Sequence, residues 1–330
     1  MCQTAVFYGE ALARYGFGGS HPFGTDRLDA FWNKLQSESI GNIVVEEPVM
    51  AGYQDAVLFH DSAYVDLVKV ASRHGGVLLD KGDTPAFKGA FEASLYVVGS
   101  TLAALDMVVT GRDGRKRKVD HAFNPIGGLH HARRDSAGGF CIFNDIGIAI
   151  LAAREKYRIE RIAYIDIDAH HGDGVFYEFE DDPLLFFADI HEDGRYLYPG
   201  TGSASEIGKG AAASTKLNIP LEPGAGDDEF MEAFGKIEHF VDDVKPELII
   251  LQCGADGLAG DPITHLQYTS KAHMFAADSI HRLAHKHCNG RIIALGGGGY
   301  NRTNISAAWT EVVRSLAKIP ISENNKGSPS

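Results

Sequence analysis

The stretch Arg161–Gly174 constrains this chain more than any other. Ile162, Ala163, Tyr164, Ile165 and Ile167 form a nearly unbroken apolar run, which suits a parallel strand covered on both faces. Asp166, Asp168, His170, His171 and Asp173 then crowd together. A core strand does not end in that many ionisable groups unless something binds them. Alternation puts Asp166 and Asp168 on one face of the strand. A carboxylate followed two residues later by an imidazole suits a metal, and zinc accepts both donors. Gly172 and Gly174 mark a tight turn, and open α/β sheets bind ligands at the carboxyl ends of their strands. An acidic, salt-bridged loop is the plainer reading, and the turn glycines weigh against it.

Strand and helix patterns alternate along the chain. Strands are expected near Val6–Tyr8, Ile43–Val45, Val119–Phe123, Ile162–Ile167, Leu184–Ala188, Lys216–Pro220 (a short edge), Leu248–Leu251 and Ile292–Leu295. Helical spacing of apolar residues fills the intervals, beginning with Leu28, Phe31, Trp32 and Leu35. Arg27, near the start of that helix, reads as a surface charge. The basic run 112–118 reads as a solvated loop, and Asp189–Gly202 as a long loop. This alternation predicts a single-domain α/β fold, one parallel sheet flanked by helices on both faces. Residues 1–320 form that domain, and the polar segment 321–330 is expected to be a disordered tail.

Polar clusters fall where four strands end: His130 and His131, then Asp166 to Asp173, then Asp256, then Tyr300. In a parallel sheet these ends share one edge. Asp168, His170 and Asp256 supply three metal ligands and leave a fourth position open, the mark of a catalytic zinc. Asp166 and Asp173 can bond the two histidines and set their tautomers. Glycines 296–299 bend the backbone close to a ligand. Tyr300 behind them can donate to a developing oxyanion. An ordinary polar loop at His130–His131 and a core tyrosine at 300 are the plain alternatives.

A net charge of −13 argues against direct binding to nucleic acid, whose affinity comes from Lys and Arg neutralising phosphates. Cys2, Cys141, Cys253 and Cys288 form no C-x-x-C pair, which points to thiols in a reducing compartment. The first residues lack a basic segment followed by an apolar run, and no apolar run approaches the roughly 20 residues of a membrane span. A cytoplasmic protein is expected.

These residues resemble the zinc-dependent histone deacetylase family of the arginase–deacetylase superfamily. The resemblance is carried by GGLHHARRDSAGGFCIFND (127–145), YIDIDAHHGDGV (164–175), YPGTGS (198–203), QCGADGLAGDP (252–262) and LGGGGYN (295–301), in the family's order. HPFGTDRLDAFW (21–32) is similar to the bacterial acetoin-utilisation branch. The resemblance implies zinc, or ferrous iron, on Asp168, His170 and Asp256. It implies His131 with Asp173 as general base and acid, His130 with Asp166 as electrostatic support, and Tyr300 polarising the carbonyl. Gly139, Phe140 and Tyr198 would line a tunnel for the lysyl chain, with Asp83 at its rim. Potassium would sit against backbone around Asp166, Asp168, His170 and Asp189. Tyr198 stands where the family more often has Phe, and Asp189 where it often has Ser. The implied substrate is an acetylated lysine in a protein or peptide, or a small acetylated amine such as an acetylpolyamine. A binuclear manganese ureohydrolase and a non-catalytic acyl-lysine binder are the competing readings.

Overall fold

The structure is a computed structural model that describes residues 2–110 and 119–318. The basic run 112–118 and the tail 321–330 lie outside the described residues. In chain order the elements are β1 (Thr4–Phe7), α1 (Glu10–Ala13), α2 (Arg27–Ser37), β2 (Ile43–Glu46), α3 (Tyr53–Ala56), α4 (Ser62–Ala71), α5 (Ala90–Thr110) and β3 (His121–Asn124). They continue with α6 (Asp145–Tyr157), β4 (Ile162–Asp166), α7 (Asp173–Glu178), β5 (Leu185–Glu192), β6 (Lys216–Leu221) and α8 (Asp227–Val244). The last are β7 (Leu248–Gln252), α9 (Ser270–His287), β8 (Ile292–Leu295) and α10 (Arg302–Leu316).

The eight strands form one sheet in the order β2-β1-β3-β8-β7-β4-β5-β6, and every pairing is parallel. Strands β3, β8, β7 and β4 are buried at every residue. That fits their near-continuous apolar sequences, because helices cover both faces of a parallel sheet. Helices α5 and α6 form one layer, with α5 against β3 and β8, while α2, α8, α9 and α10 pack into another. Edge strands β2 and β6 carry most of the partly exposed strand residues.

Local signals set many boundaries. Asn144 caps α6 by accepting from the Gly147 N–H at 2.9 Å, and Asn301 caps α10 through the Thr303 N–H at 3.0 Å. Helix α8 opens with Asp227, Asp228 and Glu229 at the positive end of its dipole. Helix α5 is long and apolar enough to cross a membrane, but 61% of its apolar window is buried inside the fold. It is a core helix, and the expectation that no such segment exists is corrected to that extent.

Two further expectations are corrected. The strand expected to stop at Ala188 runs on to Glu192 as β5, so Asp189 to Glu192 are sheet residues rather than loop. Their polar groups are satisfied there: Asp189 Oδ1 lies 2.7 Å from His191 Nδ1, and Glu192 Oε1 lies 2.7 Å from His265 Nδ1. Arg27 is fully buried, not a surface charge.

Candidate active site and metal centre

The central strands β3, β8, β7 and β4 are neighbours, so the four polar clusters that follow them meet at one point. Asp168, His170 and Asp256 each bring a donor atom within 4.8 Å of the others. His170 Nδ1 lies 3.0 Å from Asp168 Oδ1 and 3.1 Å from Asp256 Oδ2. Their other oxygens are already engaged. Asp168 Oδ2 accepts from Gln252 Nε2 and from the Gly298 N–H, both at 2.8 Å. Asp256 Oδ1 accepts from the Ala169 N–H at 2.9 Å. This leaves one oxygen of each carboxylate turned toward the imidazole nitrogen, two buried anionic oxygens and one nitrogen converging. Such a donor set fits a divalent zinc ion with a further position open. Burial opposes charge on His170, but its bonds to Asp168 and Asp256 prevail and raise it to about 10. The two carboxylates therefore favour positive charge at this point.

The histidine pair stands beside this centre. His130 Nδ1 faces Asp166 Oδ2 at 2.8 Å, and His131 Nδ1 faces Asp173 Oδ1 at 2.7 Å. The two Nε2 atoms are 3.0 Å apart. Burial disfavours a proton on His130, yet Asp166 and Asp168 outweigh it and lift the ring to about 9. His131 goes the other way: burial and the charged His130 push it down to about 4 despite Asp173. One ring of the pair is thus charged and the other neutral near pH 7. Tyr164 donates to Asp166 Oδ2, and Arg133 donates to Asp173 Oδ2 at 2.8 Å.

A cavity of about 1030 Å³ opens above, lined among others by His131, Gly139, Phe140, His170, Tyr198 and Tyr300. Tyr198 stands edge-on to His131, ring centres 5.0 Å apart, and is 51% exposed. Phe140 meets Tyr300 edge-on at 5.7 Å. Gly139 has φ +49, and a Cβ there would fall 2.2 Å from His131 Cδ2. Glycine is therefore required beside the histidine. A Cβ at Gly298 would fall 2.3 Å from Asp256 Oδ2, which explains part of the glycine run. Asp83 and Ile263 also line the cavity.

Residues 21–316 match the family model described as the Histone deacetylase domain. The chain belongs to the histone deacetylase family. The acetoin utilization protein AcuC of Bacillus subtilis (strain 168) is 38% identical over 331 residues, 97% of this chain and 81% of that protein. Histone deacetylase clr6 of Schizosaccharomyces pombe is 32% identical over 332 residues, 98% of this chain and 78% of that protein. A crystal structure of the HDA15 HD domain superposes with a TM-score of 0.85 at 26% identity, covering 96% of this chain and 90% of that one. Membership supports a deacetylase, hence a hydrolase.

The histone deacetylase motifs thus land together: His130, His131, Asp166, Asp168, His170, Asp173, Asp256 and Tyr300 form one site. Asp189 sits at its flank, paired in register with Asp166 and accepting from the Gly172 N–H at 2.8 Å. His171 turns away, its Nδ1 2.8 Å from Thr201 Oγ1. Sequence reasoning missed two contributors. Gln252 holds Asp168, and Arg27 donates to the carbonyls of Gly297 at 2.6 Å and Gly299 at 2.9 Å, the backbone that leads into Tyr300. A signal for Arg27 existed: it stands four residues before Phe31 and eight before Leu35, on the buried stripe of α2.

Proposed function

We propose that this chain is a zinc-dependent deacetylase that removes acetyl or related acyl groups from the ε-amine of lysine in proteins or peptides. The observation that carries the reading is the convergence of Asp168, His170 and Asp256, with His170 lining a cavity walled by Phe140 and Tyr198. Those rings suit the methylenes of a lysyl chain. Asp83 at the rim can accept N–H groups of a substrate backbone. Ile263 at the mouth favours a peptide over a charged polyamine, and a small acetylated amine is the second reading. Domain 1–320 as a catalytic unit and a cytoplasmic location belong to the same proposal. The four cysteines are buried without a disulfide, which suits a reducing compartment.

When bound, zinc would lower the pKa of water toward about 7 and polarise a carbonyl. His131, kept neutral by burial and by His130, takes the proton of the attacking water as its oxygen bonds to the acyl carbon. Asp173 holds Nδ1 of that ring, so Nε2 is the working atom. Tyr300 donates its hydroxyl proton in a hydrogen bond to the oxyanion. The C–N bond then breaks, and His131 returns the proton to the departing amine. Acetate and free lysine result. His130, charged and bonded to Asp166, stabilises the negative charge nearby. A potassium ion against the backbone of Asp166, Asp168, His170 and Asp189 fits the buried carboxylates gathered there.

The test is turnover of acetyl-lysine peptides and acetylpolyamines by protein of defined metal content. Tyr300→Phe is expected to lower kcat about a hundredfold, and chelation to abolish turnover. Undiminished turnover in Tyr300→Phe would remove the tyrosine from the mechanism, and turnover by metal-stripped protein would end the proposal. Preference for acetylpolyamine would select the second reading.

A further inference from the structure

A second group of metal-type donors lies at the other edge of the sheet. Cys2 precedes β1, His121 opens β3, and His281 and His285 lie on α9. The active site follows the carboxyl ends of the strands. This group sits at their amino ends, so the strands themselves separate the two. Cys2, His121 and His281 are buried and His285 is half-buried.

The four side chains meet at ligand spacing. Cys2 Sγ is 3.3 Å from His285 Nε2, and His285 Nε2 is 3.4 Å from His121 Nε2. One donor atom from each of the four lies within 4.8 Å of all the others. In a tetrahedron with Zn–N of about 2.0–2.1 Å, neighbouring nitrogens stand about 3.3–3.4 Å apart, and a thiolate at about 2.3 Å lies about 3.5 Å from each nitrogen. The two separations of 3.3 and 3.4 Å are close to these edges, and the remaining pairs lie within 4.8 Å. His281 and His285 form an H-x3-H pair within HRLAH, a spacing that puts both rings on one helix face.

The donor accounting points the same way. His281 Nδ1 lies 2.9 Å from the Ser315 carbonyl. A carbonyl only accepts, so Nδ1 carries the ring's proton and Nε2 is a bare lone pair. That Nε2 is buried and has no hydrogen-bond partner among the described residues. Buried polar atoms are rarely left so. A carbonyl that fixes one ring nitrogen while the other binds metal is the usual support of an imidazole ligand. Hydrogen bonding among the rings alone does not use this lone pair.

We propose that Cys2, His121, His281 and His285 form a second metal site that takes zinc through one thiolate and three imidazoles. Four protein ligands close the shell, so the ion is structural. It ties the start of β1, the start of β3 and helix α9 together. The Cys2 N–H donates to the Lys318 carbonyl just past α10, at 3.4 Å, so the clip also secures both ends of the described chain.

Metal counting and cobalt spectroscopy on the full chain test this independently of deacetylation. Wild-type protein loaded with zinc and dialysed is expected to hold about two ions per chain. Cobalt-loaded protein is expected to show a thiolate-to-cobalt charge-transfer band. The active-site donors Asp168, His170 and Asp256 contain no sulfur, so that band reports the second site alone. Cys2→Ser should lose the band and one ion while keeping its deacetylation rate, with a lower Tm. Asp256→Asn should keep the band. Wild-type protein without the band overturns the proposal even if every variant fails to fold, and so does a metal count or band unchanged in Cys2→Ser.

Discussion

Replacing Arg27 by methionine tests whether a buried cation holds the loop that carries Tyr300. The guanidinium is fully buried. It bonds the Gly297 and Gly299 carbonyls and stacks on Phe23 at 3.9 Å. Each hydrogen bond from a charged group is worth roughly 1.5–3 kcal/mol, and a desolvated cation–π contact about 2 kcal/mol. Against these stands the cost of burying a guanidinium, several kcal/mol, which methionine avoids. That cost is visible in Arg27 itself, where burial lowers the pKa to about 10 although Tyr300 pulls upward. Its Nη1 also has no hydrogen-bond partner among the described residues. The net loss of stability is therefore expected to be modest, about 2 kcal/mol. The kinetic effect should be larger. Two buried carbonyls lose their donors, and the loop can shift by about 1 Å, which can cost on the order of a hundredfold in rate. Steady-state turnover of an acetyl-lysine peptide, measured with a urea titration, should show kcat falling far more than KM changes. Arg27→Lys, which keeps the charge but loses the fork of donors, should fall between. Wild-type kcat in Arg27→Met would refute the reasoning, because the loop would then hold its place unaided.

Gly139→Ala should cut kcat at least tenfold with little change in fold, since its Cβ would press on His131 at 2.2 Å; a crystal-quality variant with full activity would contradict this. Gln252→Leu removes the donor to Asp168 Oδ2, and active-site zinc affinity should fall about 10- to 100-fold by competitive chelation. The histidine pair gives a pH test on metal-stripped protein. Burial and His130 depress His131 to about 4, whereas the unfolded chain takes up that proton near 6.5. The neutral ring's contribution is therefore full above about pH 6.5 and is lost as pH falls toward 4, about 3 kcal/mol in all. His130 has the opposite sign: Asp166 and Asp168 overcome burial and raise it to about 9, so its contribution is lost as pH rises through 9. Unfolding at pH 5 and pH 7 should differ less in His131→Ala than in the wild type; equal differences would count against the assignment.

Much of this protein is written locally. The alternation of apolar runs and amphipathic stretches determines a parallel α/β sheet, because strands buried on both faces need continuous apolar sequence. Asp168, His170 and Asp256 are legible as candidate ligands because ionisable groups at buried strand ends need a partner. Asn144 and Asn301 announce their helices because caps act within a single turn. What the sequence alone did not determine depends on which distant residues face one another. Residues 189–192 look like loop until β6 pairs with them and their charges find His191 and His265. Arg27 looks like surface until α2 packs where the glycine carbonyls can receive it. Cys2, His121, His281 and His285 lie far apart in the chain, apart from the one helical pair, and only the strand order β1-β3 under α9 brings them together. Side-chain pairing across the sheet is a property of strand order and register, and neither is encoded in any one segment.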